Sequence, residues 1–192
     1  MLTLLASLAL IGESDLLRIS VSFAIYTVFF AIYSLVQRKV AYGFIPAAYL
    51  ALAIFVALEY ENLDAWLPVL TGLAVLYYVI GFAIRGIKAQ TGEPVSWSEM
   101  MRVSGLILSS IVSASALIVE KDFGGYFIAV TAFLFIVEMF VRQNGWLEAG
   151  VHLFAGMSVF MLLREFEVTE LTYYFLAIGS VWLILDMLFF KT

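Results

Sequence analysis

The chain has 192 residues, 64% of them hydrophobic and 13% charged, with a mean hydropathy of +1.05. Soluble domains carry about a quarter of their residues as charges, so this composition excludes a soluble globular protein. A net charge of −5, spread over many short stretches, provides no basic face for nucleic acid and no acidic tail. Zero cysteines and one histidine remove disulfides, thiol catalysis, thiolate metal sites and bis-histidine haem ligation, so no cofactor is expected.

A helix needs about 20 mainly apolar residues to cross a membrane core of ~30 Å. The chain is therefore long enough for seven or eight crossings with short connections. Residues 1–11 are apolar and lack the basic start of a signal peptide. At ~16 Å of helix they are too short to cross alone, and read as a short or partly inserted first helix. Seven longer apolar segments follow, at 17–36, 43–60, 66–85, 103–119, 125–141, 147–163 and 169–190. The predicted fold is all-α, a polytopic transmembrane bundle of seven full spans plus the short N-terminal helix.

The connections alternate in sign. Arg38, Lys39, Arg85, Lys88, Arg102, Arg142 and Lys191 fall on one side, and Arg18, Lys121 and Arg164 on the other. Excess Lys and Arg marks the cytoplasmic face, which predicts a multi-pass cell-membrane protein with both termini cytoplasmic.

The two halves also resemble each other, as duplicated units do. Ala9, Leu10, Ile11, Glu13 and Asp15 match Ala116, Leu117, Ile118, Glu120 and Asp122 at an offset of 107. Beyond a two-residue gap the offset becomes 105, pairing Ala24 with Ala129, Phe30 with Phe135, Val36 with Val141, Phe55 with Phe160 and Leu58 with Leu163. This predicts a first four-helix unit over 1–85, a cytoplasmic linker and interfacial helix start over 86–102, and a second unit over 103–192. Four crossings per unit return the chain to the same side, so the units run parallel, and the pattern is also compatible with a piece of a longer array. In the linker, Ser96 and Glu99 have capping-box spacing, which predicts a helix continuing from there into the span at 103–119.

Few residues inside the spans carry chemistry. Glu138 and Asp186 are acids within apolar runs, where an ionisable group costs about 2.5–3.5 kcal/mol at the bilayer centre. Glu138 precedes Arg142 by one helical turn, the spacing of an ion pair. Asp186 lies near Lys191. His152 follows Glu148 by four residues, which places a His–carboxylate pair on one face. Glu138, Arg142, Glu148, His152 and Asp186 together form a candidate polar cluster in the cytoplasmic half of the second unit. The offset of 105 places Tyr33, Ala47 and Gly81 at the positions of Glu138, His152 and Asp186, so any such site is asymmetric.

Gly105, Ser109 and Ser113 recur every four residues, a helix-packing ridge of the small-xxx-small kind. Tyr42, Tyr60, Trp66, Trp97, Trp146, Tyr173 and Tyr174 fall near span ends, where interfacial aromatics collect. Phe23, Tyr26, Phe30 and Tyr33 form an aromatic stripe that reads as ordinary packing. Phosphate-binding loops, nucleophile elbows and metal-binding His/Glu motifs are absent from the sequence. The expected function is a non-enzymatic membrane module, either a scaffold, a subunit of a larger complex or the membrane part of a sensor. Its expected partners are the lipid bilayer and other membrane subunits, or further copies of itself. The alternative is a small transporter or channel using the polar cluster. Transporters commonly build sites from broken helices, whereas Pro46 and Pro68 fall in first turns, where proline is tolerated.

Overall fold

A computed structural model describes residues 13–85, 95–119, 123–142 and 144–189. It contains α1 (Glu13–Gln37), α2 (Phe44–Tyr60), α3 (Trp66–Ala83), α4 (Trp97–Val119), α5 (Gly124–Val141), α6 (Gly145–Glu165) and α7 (Leu171–Phe189), with a 3-10 turn at Val40–Gly43 leading into α2. These seven helices are long and apolar enough to span a membrane. There are no strands among the described residues. Pro46 and Pro68 are each the third residue of their helix, where the missing N–H has no intrahelical partner to lose. The start of α4 at Trp97 follows from the Ser96 hydroxyl accepting the Glu99 N–H at 3.1 Å, so α4 runs without interruption through the span expected at 103–119.

The chain divides into two compact units, the first ending at Gly105 and the second beginning at Leu106. The expected linker, at 86–102, precedes that division. Of it, 86–94 lie outside the described residues, as does the expected N-terminal helix at 1–11.

In the first unit α3 is central. Leu67, Leu70, Leu73, Ala74, Tyr77 and Tyr78 are buried along it. Apolar burial drives little association in lipid, where helices gain mainly by close contact and hydrogen bonds; the contacts here are of that kind. A Cβ added at Gly105 would lie 2.6 Å from the Ala74 carbonyl oxygen, so this glycine brings α4 against the α3 backbone. Ser98 donates to the Gly81 carbonyl at 2.6 Å, and Tyr77 donates to the Ala47 carbonyl at 2.9 Å. Ser20 of α1 donates to the Ala53 carbonyl of α2 at 2.9 Å. The aromatic stripe packs as expected: Phe23, Tyr26 and Phe30 surround Tyr49 with centroids 5.6–5.9 Å away, and Tyr33 meets Tyr42.

The second unit is built around α5 and α6, which cross closely at Gly125. A Cβ there would lie 2.9 Å from the Leu162 backbone nitrogen. Ser158 donates to the Gly125 carbonyl at 2.8 Å, and Phe135 packs on Phe154 at 5.1 Å. Within this unit Ser109 and Ser113 face α5: Thr131 donates to the Ser109 carbonyl, which leaves Ser113 to donate to the Thr131 hydroxyl at 2.7 Å.

Both α2 and α6 end in the same way. Asn62 and Glu167 adopt left-handed backbone with φ of 52° and 55°. The following residues, Leu63 and Val168, reach back to the carbonyls of Leu58 and Leu163. This six-to-one bond, with the left-handed residue before it, is a Schellman termination.

Candidate functional site

The polar residues singled out in the second unit resolve into two pairs. Glu138 of α5 has its side chain 2% exposed, and its Oε1 lies 3.1 Å from Arg142 Nε. The expected ion pair forms, with its acid enclosed by the bundle. Arg142, 35% exposed at the helix end, extends outward as a long cationic side chain does.

The second pair differs from the one expected. His152 does not meet the Glu148 carboxylate. Its Nδ1 lies 2.9 Å from the Glu148 backbone carbonyl, and its Nε2 lies 2.8 Å from Asp186 Oδ1, across from α6 to α7. The reason is geometric: Nδ1 is the ring nitrogen that reaches back along its own helix, leaving Nε2 to point across to the neighbour. The expected companion of Asp186, Lys191, lies outside the described residues.

Trp182 completes this arrangement. Its indole stands edge-on to the His152 ring, with centroids 6.1 Å apart, and its Nε1 donates to the His152 carbonyl at 2.9 Å. Gly156, one turn beyond His152, supplies room, since a Cβ there would lie 3.2 Å from the same indole nitrogen. Val151, Leu185 and Phe189 are buried together beside the pair, with Phe135, Ile136 and Met139 of α5 packed against them. Residue spacing alone gave no sign of Trp182; its one sequence cue was a tryptophan placed well inside a span.

Two further polar contacts had no sequence signal. Glu165, at the end of α6, accepts the Gly125 N–H at 3.1 Å and so satisfies a free donor at the start of α5. Arg102, expected at the interfacial helix start, is 6% exposed within α4. Its guanidinium lies 5.1 Å from the Phe82 ring, which Arg85 approaches to 4.2 Å, both cation–π distances.

Among the described residues, no three His, Cys, Asp or Glu side chains are grouped to hold a metal ion. An open groove of about 710 Å³ lies where α6 ends and α7 begins, lined in part by Glu167, Glu170 and Tyr173. It is at the opposite end of these helices from His152 and Asp186.

Together, the seven apolar helices and their internally bonded polar groups are compatible with an integral membrane protein of the multi-pass helical class. Comparison with family models, curated proteins and solved structures finds no match to this chain.

Proposed function

We propose that this protein is a non-enzymatic membrane module, a scaffold or subunit of a larger membrane assembly or the membrane part of a sensor. The observation that carries this reading is the contrast between satisfied polar groups and bare outer helices. Glu138 is held by Arg142, and Ser113, Ser158 and Ser20 each bond a neighbouring helix. Meanwhile only 17% of the α1 span and 6% of the α7 span is buried. Such helices present long apolar faces that fit lipid and the helices of other subunits. Purification into native-lipid nanodiscs, followed by mass spectrometry of the intact particle, tests this. Additional subunits or further copies are expected; a partner-free monomer that carries a proton or sodium flux in liposomes would replace the module with a transporter. The His152–Asp186 contact is the observation that favours that second reading.

The module is further proposed to be a duplication of one four-helix unit in parallel orientation, with both termini in the cytoplasm. Four features recur at a spacing of 105 residues and support it. The Phe30–Tyr49 pair recurs as Phe135–Phe154. The Tyr77 bond to Ala47 recurs as the Trp182 bond to His152. The Ser20–Ala53 crossing recurs as Gly125–Ser158, and the cap at Asn62 recurs at Glu167. The seven-to-three division of Lys and Arg supports the orientation.

A further inference from the structure

We propose that His152 and Asp186 form a proton-binding site, one proton being held between Nε2 and Oδ1, and that this proton fastens α7 to α6. Such a site goes beyond the module reading and does not depend on it.

Hydrogen-bond stoichiometry calls for this proton. A backbone carbonyl only accepts, so the 2.9 Å contact to the Glu148 oxygen assigns a proton to Nδ1. A neutral ring protonated there has a bare lone pair on Nε2. That lone pair would face Asp186 Oδ1 at 2.8 Å, and an ionised carboxylate also only accepts. Two acceptors at that distance repel. The contact is satisfied when one more proton is present, either on the ring as imidazolium or on the aspartate as a carboxylic acid.

The charged surroundings are few. On its own helix the ring has Glu148 one turn away, touching it through the backbone carbonyl. From α7, Asp186 is the one charged side chain among the described residues. From α5, packed against both helices, come Glu138 and Arg142, which bond each other. The Trp182 N–H is engaged by the His152 carbonyl and is not available to the ring.

The rest of the α6–α7 contact comprises the Trp182 bond, the Phe160–Tyr174 ring pair and the cluster of Val151, Leu185 and Phe189. On α7 only Leu185 and Phe189 are buried. The bond from Trp182 to the carbonyl has a counterpart in the first unit, in Tyr77 and Ala47, whereas the His–Asp pair has none, since Ala47 and Gly81 stand 105 residues earlier. The titratable contact is thus an addition to a helix pairing that exists elsewhere without it. Its contribution is present while the proton is bound and is lost when the proton leaves.

Because His152 is the single histidine, ¹⁵N-histidine labelling gives one pair of ring nitrogen signals. The test is NMR of the labelled protein in bilayers across neutral and alkaline pH, with ¹³C-aspartate labelling to read the Asp186 carboxyl. At neutral pH the wild type should show the extra proton, on Nε2 or on Asp186. Asp186→Asn replaces the acceptor by an amide that donates to Nε2, so its ring should be neutral at the same pH. Where the wild-type proton lies on Nε2, the doubly protonated population should fall about tenfold or more; where it lies on Asp186, the wild-type carboxyl should read as an acid. Mobility of α7, read from spin labels near its end, should increase on raising pH in the wild type and stay constant in Asp186→Asn. A bare Nε2 beside an ionised Asp186 in the wild type at neutral pH would overturn the proposal, whether or not the variant folds. Where the wild-type ring is doubly protonated, equal double protonation in the variant would overturn it as well.

Discussion

Arg142 Nε lies 3.1 Å from Glu138 Oε1, one turn back along the same helix, and the two side chains occupy opposite environments: the acid is enclosed and the arginine is partly open. Removing either partner therefore has unequal consequences. Glu138→Gln keeps the shape and frees an arginine that can turn outward, and should cost about 1 kcal/mol, the scale of one hydrogen bond. Arg142→Ala leaves a carboxylate enclosed without its cation and should cost about 3–5 kcal/mol. Unfolding of both variants in mixed micelles measures the difference; an equal loss would contradict this account of the pair.

Close helix approach gives a second contrast. Gly125→Ala places a Cβ 2.9 Å from the Leu162 backbone nitrogen, an atom that cannot move without its helix. The cost should be about 1–3 kcal/mol, as for overpacked cores. Gly179→Ala meets no heavy atom within 4 Å and should be neutral or stabilise by about 0.5–1 kcal/mol through helix propensity. Thermal midpoints of the two alanine variants, measured side by side in one detergent, give the comparison.

Glu167 holds a left-handed backbone, φ 55°, that costs a residue with a Cβ about 1–2 kcal/mol. Its side chain is exposed, so Glu167→Gly should raise the thermal midpoint, by an amount equivalent to about 1 kcal/mol. Asn62→Gly should gain less, since asparagine tolerates this conformation better. A lower midpoint for Glu167→Gly would show that the carboxylate contributes more than the backbone loses.

Parallel duplication makes a topological demand. Positions 62 and 167 are separated by four helices and must lie on the same side of the membrane, opposite position 90. The chain contains no cysteine, so Asn62→Cys, Glu167→Cys and Gln90→Cys can each be probed singly with an impermeant thiol reagent. In intact cells the first two should react and the third only after lysis. Reaction of position 90 alone would reverse the orientation while leaving the duplication standing. Opposite behaviour of 62 and 167 would exclude parallel units.

Hydropathy located the helices because lipid enforces one simple rule: backbone groups must bond internally, and about 20 apolar residues do so across the core. The segment read as 43–60 is Val40–Tyr60 with its 3-10 turn, and 66–85 is Trp66–Ala83. Contacts within one helix were equally legible, since Glu138 and Arg142 are joined by helical period alone. His152 and Asp186 were both singled out, but their bond spans 34 residues, a relation set by how two helices rotate against each other. The same period that made Glu148 a plausible partner for His152 put only its carbonyl within reach. The capping-box spacing at Ser96 and Glu99 puts Arg102 on a helix, and α4 does begin at Trp97. The burial of Arg102, at 6% exposure, is set by the packing of α4 on other helices, which spacing along one helix does not reveal.

Ser20 donates to the carbonyl of Ala53, and Ser158 to that of Gly125. The hydroxyl sits on the earlier helix in one crossing and on the later helix in the other. Either side of the crossing can supply it, because the acceptor is a backbone oxygen that every residue possesses. Such a contact can outlast both of its side chains. A serine lost from one helix is replaceable by a serine gained on the other, with small residues kept opposite. Were the two units copies of one ancestor, the heritable unit at this crossing would be a pair of positions that together hold one hydroxyl, and neither position taken singly would reveal it.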